Sequence, residues 1–231
     1  MTYSIIARCP HTGRFGVGTT TFSLACGRRN ESLRPNVGVS KSQAFYLRRV
    51  DPFVLNMLAQ GHTPAHIARV LEADDPDYDY RQFGIIDREG AVFAHTGSKI
   101  GQWAGQQVGP YYAAYGNGLL GPQTVEGIIQ GFMSDPDAPL EERLMRGIEG
   151  GRDAGGQSSN GRHRPERSAW LRVVDRLDWP QFDLRVDMHE QAVAELRRIF
   201  ETFRRHRDYY ERCSSDPPNA KPEERVFAEA G

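Results

Sequence analysis

Thr2-Tyr3-Ser4-Ile5-Ile6-Ala7, the turn Pro10-His11-Thr12-Gly13 and the run Phe15-Gly16-Val17-Gly18-Thr19-Thr20 decide the fold class. Both runs read as strands, and a short turn of proline and glycine joins them, which predicts an antiparallel hairpin. Val37-Gly38-Val39-Ser40 starts a third strand.

Two helices follow. Asp51-Pro52 supplies an N-cap with proline at the first helical position, Gly61 suits the C-terminal end, and Val54, Met57 and Leu58 share one face. Thr63-Pro64 opens a second helix in the same way, with Ile67, Val70 and Leu71 as its apolar face and Asp74-Asp75-Pro76 at its end. Phe83-Gly84-Ile85-Ile86 and Ala91-Val92-Phe93-Ala94, around Asp87-Arg88-Glu89-Gly90, predict another hairpin, and residues 111–115 a further strand. A second helix pair begins at Pro122, with Val125, Ile128, Ile129 and Phe132, and near Pro139, with Leu140, Leu144 and Ile148. Residues 169–174 and 182–186 are the last strands, and a helix over about 189–212 carries Val193, Leu196, Phe200 and Phe203 on one stripe. Hairpins mean antiparallel sheets, and helix pairs set between groups of strands mean helices on outer faces. The expected fold class is α+β, a four-layer αββα sandwich, with one domain over residues 1–212 and a flexible tail over 213–231.

Residues 150–167 are polar, rich in glycine and arginine, and lack apolar periodicity. They are expected to form a mobile loop bordering a cleft, with Arg152, Arg162, Arg164 and Arg167 available to an anionic substrate.

Composition removes several function classes. With 29 basic and 30 acidic residues, no global field draws the chain to nucleic acid or to an anionic membrane. Cys9, Cys26 and Cys213 are odd in number and widely spaced, which argues against a disulfide framework and fits a reducing, cytoplasmic setting. The apolar run before Arg8 is too short for a signal-peptide core, and no stretch reaches the ~20 apolar residues of a membrane helix. His62 and His66 are four apart, but His62 precedes the Thr63 cap, so the two are not expected to share a helical face; the reading includes no metal and no cofactor. The glycines of residues 13–18 follow neither nucleotide-binding spacing. The arginines of the last helix are interspersed with Glu195, Glu201, Asp208 and Glu211, a salt-bridged face rather than a nucleic-acid surface. Its apolar stripe, with Tyr209 and Tyr210, suggests packed core or a homodimer contact.

The residue that draws chemical attention is Thr2. Removal of Met1 leaves an amino group and a hydroxyl on one residue, which combines a nucleophile with its base. The competing reading is a plain strand residue behind a retained Met1. Lys41, in the polar run Ser40-Lys41-Ser42-Gln43 after the third strand, would favour the free-base form of a nearby amine by like-charge repulsion, or else is an exposed surface lysine. Gln43 and Asn117 are neutral amides suited to a substrate or an oxyanion, although Asn117 in Gly116-Asn117-Gly118 also fits a turn at positive φ. Thr19, Thr20 and Thr21 at a strand end line either a site or simply a sheet.

Several motifs occur in a telling order: Thr2 through Arg8 with Thr12-Gly13, Val37-Gly38 with Gln43-Ala44, Trp103-Ala104-Gly105, Gly109-Pro110, Gly116-Asn117, Ser168-Ala169, and Leu184-Arg185-Val186-Asp187. Together, over roughly residues 2–205, they resemble the N-terminal-nucleophile-hydrolase-like family known as domain of unknown function 1028. The resemblance implies two stacked antiparallel sheets between helix layers. The chain departs from the family's pattern in three places. Lys41 stands where a small or apolar residue is usual, Gln157 where an aspartate is expected after Gly155-Gly156, and Arg167 where a glutamine is expected before Ser168. If those family residues are catalytic, this member is altered or inactive. The expected function is an amidohydrolase acting through Thr2 on a small molecule with a linear C–N bond; the alternative is a non-catalytic binding or assembly protein on the same scaffold.

Overall fold

Alternation along the first strand sets the plan of the molecule. In β1 (Thr2–Arg8), Tyr3, Ile5 and Ala7 point to one core, while Ile6 points to another. The computed structural model describes residues 1–28 and 32–220. Among the described residues twelve strands form two sheets, and every pairing is antiparallel.

The larger sheet is centred on β1. It pairs with β2 (Phe15–Thr21) on one side and β8 (Tyr112–Leu119) on the other, with Thr2 opposite both Thr21 and Asn117. β11 (Ser168–Val174) and β12 (Phe182–Val186) continue the sheet beyond β2, and β7 (Trp103–Gly109) pairs with β8. The smaller sheet has the order β3 (Leu33–Arg34), β4 (Gly38–Ala44), β5 (Arg81–Asp87), β6 (Val92–Thr96).

Three apolar layers follow. Tyr3, Ile5, Leu171 and Val173 pack against α3 (Pro122–Met133), α4 (Leu140–Asp153) and α5 (Ala192–Ser215) through Ile128, Leu144, Ile148, Leu196 and Phe200. Ile6, Val17, Val39, Ile86, Tyr115 and Trp170 fill the space between the sheets. Phe83 and Ile85 on the far face of the smaller sheet meet Val54, Leu58, Ile67 and Leu71 of α1 (Val50–Ala59) and α2 (Pro64–Asp74). The arrangement is therefore mixed α and β, with two facing antiparallel sheets and helices on the outer faces. The glycine pattern of β2 has a packing cause: a Cβ on Gly16 or Gly18 would come within 2.4 Å of Leu144 or 2.8 Å of Ile148, so α4 lies tight against that strand.

Several expectations are corrected. Residues 150–167 are not an irregular loop. Their first part closes α4, and β9 (Gln157–Ser159) pairs with β10 (Arg162–Arg164) as a hairpin. Gln157 pairs with Leu119, whose other side is taken by Trp103, so β9 occupies the place beside β8 that β1 vacates before Thr2. Backbone pairing of a strongly polar sequence leaves no apolar periodicity to read. β7 was likewise not evident as a strand, because its glycines and glutamines lack β-branched content. The last helix runs from Ala192 to Ser215, past the expected end; the final residues, 221–231, lie outside the described part. Its apolar stripe is spent on the core, and several of its arginines are paired: Arg197 reaches Glu142, Glu149 and Glu201 at 2.7–2.9 Å, Arg198 reaches Glu195 and Arg204 reaches Glu201. His62 does precede α2, yet its ring stacks on His66 with centroids 5.0 Å apart. Among the described residues no group of three or more His, Cys, Asp or Glu is placed to hold a metal. No described helix is long and apolar enough to cross a membrane.

Candidate active site

The layer between the sheets changes character along its length. Period-two alternation aims Thr2, Ser4 and Ile6 of β1, Val17, Thr19 and Thr21 of β2, and Val39, Lys41 and Gln43 of β4 into that layer. The apolar members gather toward one end and the polar members toward the other. At the polar end a cleft of about 190 Å³ opens, lined by Thr2, Thr19, Thr21, Cys26, Lys41 and Gln43, with Arg28 and Tyr46 at its rim and Met1 beside Thr2.

Thr2 and Thr21 face each other across the β1–β2 pair, with their Oγ atoms 3.0 Å apart. Both hydroxyls donate to the carbonyl oxygen of Met1, at 2.7 Å from Thr2 and 2.6 Å from Thr21. The Ser23 amide donates to the Thr21 hydroxyl at 3.2 Å, which orients its proton toward that carbonyl. Burial lowers the Met1 amino group below its ordinary value, because the charged form is partly desolvated.

Beneath these groups lies a closed polar network. Ser4 donates to Gln43 Oε1 at 2.7 Å and sits 2.6 Å from the Thr19 hydroxyl. Gln43 Nε2 donates to Gln82 Oε1 at 2.7 Å and more weakly to the Thr2 carbonyl at 3.4 Å. Asn117 Nδ2 donates to the same Gln82 oxygen at 2.9 Å, and Gln82 Nε2 donates to the Gly116 carbonyl and the Thr96 hydroxyl. Satisfied networks of this kind are rigid, because each member lost leaves buried partners unpaired.

Lys41 is not a surface lysine. It lies inside β4 rather than after it and is only 3% exposed, with Nζ 5.9 Å from the centre of the Trp170 ring and 3.3 Å from the Ser42 carbonyl. Its neighbours Ser40 and Ser42 turn the other way, to the Asp51 carboxylate of α1. Burial pushes the Cys26 thiol up, opposed by its hydrogen bond with Ser168 and by the charge of Lys41.

The structure thus brings Thr2, Thr19, Lys41 and Gln43 to one cleft. Asn117 does not line it; it joins through Gln82, and its backbone is strand, with the positive φ falling on Gly118 instead. The arginines of residues 150–167 do not line the cleft either. Arg152 pairs with Asp153, and Arg167 stacks on the Phe22 ring at 3.9 Å. From that segment the Arg167 amide donates to the carbonyl of cleft-lining Thr21 at 2.9 Å, and Gln157 accepts the Phe22 amide at 2.7 Å. Ser4 and Gln82 were missed by sequence reasoning. Ser4 was legible, since it shares the parity of Thr2, whereas Gln82 sits just ahead of the apolar run that marked its strand.

A family model described as a family of unknown function (DUF1028) matches residues 2–196. Among solved structures, the crystal structure of protein SPO2555 from Silicibacter pomeroyi, itself described with the DUF1028 family, superposes with a TM-score of 0.76 at 26% identity, covering 87% of this chain and 88% of that one. No curated protein matches. The match across residues 2–196, with a solved structure of the same family sharing the fold over most of both chains, makes this chain a member of the DUF1028 family.

Proposed function

We propose that the sandwich is an N-terminal-nucleophile hydrolase fold and that the protein cleaves a small amide or related linear C–N bond through Thr2. The observation that carries this reading is the placement of the Thr2 hydroxyl in a cleft shared with Lys41, Thr19 and Gln43, 3.0 Å from the Thr21 hydroxyl. Excision of Met1 frees an amine on Thr2 that takes the proton from Oγ as Oγ attacks the substrate carbonyl. The departing nitrogen takes that proton, leaving an acyl or carbamoyl ester on Thr2. Water, deprotonated by the same amine, cleaves the ester and restores the hydroxyl. The Thr21 hydroxyl already donates to a carbonyl oxygen, that of Met1, and is suited to donate to the oxyanion. Gln43, Gln82 and Asn117 hold β1, β4, β5 and β8 in register beneath Thr2 rather than offering free donors to substrate.

A second reading is a non-catalytic binding or assembly protein. It requires that Met1 is retained, in which case the Met1 carbonyl engages both hydroxyls and Thr2 has no free amine. Intact mass and a β-lactone probe separate the two. Loss of the Met1 residue mass and a single acyl adduct on Thr2, absent in Thr2→Ala, support the hydrolase. A retained Met1 with no adduct on Thr2 leaves the assembly reading.

A further inference from the structure

The cleft that holds Thr2 has a definite sign of charge. Arg28 and Lys41 are the charged side chains among its described lining residues, and both are cations. Lys41 lies deep in it, whereas Arg28 is exposed at the rim. Arg28 is held in place by its backbone. It ends the short helical turn Cys26–Arg28 after β2, and its amide donates to the Ala25 carbonyl at 3.1 Å. The Ala25 amide donates to the Asp187 carbonyl at 2.9 Å and the Cys26 amide to the Ser168 hydroxyl at 3.1 Å, which ties the turn to β11 and the end of β12. Gly27 packs so closely there that a Cβ would come within 2.6 Å of Arg185 and 2.8 Å of Trp170. Arg28 Nη2 donates to the Tyr46 hydroxyl at 3.4 Å, so one contact joins the turn after β2 to the segment after β4. The backbone is strained on both walls. Ala25 has φ 53° and Ala44 φ 64°, left-handed values that a non-glycine residue keeps where its surroundings impose them.

We propose that Arg28 is the carboxylate receptor of this cleft and that the substrate is a small molecule carrying a carboxylate as well as its amide. The role of the amide rests on the hydrolase reading; the binding of the acid does not. A guanidinium presents a fixed fork of N–H donors that matches a carboxylate. The side-chain partner of Arg28 is the neutral Tyr46, and among the described residues no carboxylate pairs with it. Asp187, whose charge reaches the Cys26 thiol, lies 3.7 Å from Arg185 instead. A volume of about 190 Å³ admits only a small molecule. With its carboxylate at Arg28 on the rim, the other end of that molecule extends inward toward the Thr2 hydroxyl. An amide bearing a cationic group would meet Arg28 with like charge and is disfavoured.

Calorimetric titration of the full chain carrying Thr2→Ala, which binds without turnover, tests the assignment. The probes are succinamate, with an amide and a carboxylate, and succinamide, with two amides and no charge. Succinamate should bind at least about tenfold tighter, the scale of a hydrogen bond to a charged group. Adding Arg28→Ala should abolish that preference. Arg28→Lys, which keeps the charge without the fork, should retain part of it. Thermal unfolding should be the same in all three proteins, since the Arg28 side chain is exposed and the turn is held by backbone groups. Equal binding of the two probes, binding of neither, or a preference that survives Arg28→Ala would overturn the proposal. The hydrolase reading fails separately. A carboxylate preference with no acylation of wild-type Thr2 by the β-lactone sinks that reading and leaves the acid site standing, and acylation with no carboxylate preference does the reverse.

Discussion

Thr2 and Thr21 share one hydrogen-bond acceptor: their hydroxyls, 3.0 Å apart, both donate to the Met1 carbonyl. If Met1 is removed, the Thr21 hydroxyl loses that acceptor and remains beside the Thr2 hydroxyl and the new amine. Thr21→Val keeps shape and strand propensity but removes the hydroxyl. Acylation of Thr2 by a β-lactone should slow by roughly a hundred- to a thousandfold, the scale of one oxyanion donor, with circular dichroism unchanged. An unchanged rate would show that Thr21 serves only the sheet.

Lys41 places a buried ammonium in the cleft that holds Thr2. A like charge lowers the pKa of a neighbouring amine, so its removal raises that pKa. Lys41→Met conserves length and apolar packing against Trp170. Its acylation rate plotted against pH should move to higher pH by up to about one unit, since one nearby charge shifts a pKa on that scale. A profile that stays in place would separate Lys41 from the amine.

Gln82 is fully buried and joins five partners: Gln43, Asn117, Thr96 and the Gly116 and Gly105 carbonyls. Gln82→Leu leaves buried donors of Gln43 and Asn117 without their acceptor. The expected loss is about 3 kcal/mol, since each unsatisfied buried group costs ~1–3 kcal/mol. Urea denaturation reads it. A loss below about 0.5 kcal/mol, the scale of an ordinary surface substitution, would mean the network rearranges freely.

The hydrogen bond from Arg81 holds the Asp75 carboxyl below its ordinary value. A depressed carboxylate contributes stability that is present above its unfolded pKa and fades as pH falls through the folded one. The melting temperature should therefore drop on acidification below the ordinary carboxylate range. Asp75→Asn should flatten part of that fall and cost about 2 kcal/mol at neutral pH, as for a charge-assisted hydrogen bond. Parallel melting curves against pH for the two proteins would remove this pair from the acid response.

What the sequence determined by itself was local and periodic. Two hairpins, two helix pairs and a long amphipathic helix follow from turn residues and apolar spacing, and they suffice for antiparallel sheets with helices outside; of the expected caps Thr63 serves α2, whereas Asp51 lies inside α1, which begins at Val50. Alternation also carries half of the site: Thr2 with Ser4, Thr19 with Thr21, and Lys41 with Gln43 lie two apart on their strands, so each pair shares a face. Register and burial belong to the tertiary structure. Nothing within β4 fixes that Lys41 is buried against Trp170, a residue more than a hundred positions away, because side-chain burial depends on which strand faces which. The polar hairpin of β9 and β10 was invisible for the same reason. Its pairing is made by backbone groups, and its place is set by the gap that β1 leaves between β8 and β2, a property of the assembled sheet.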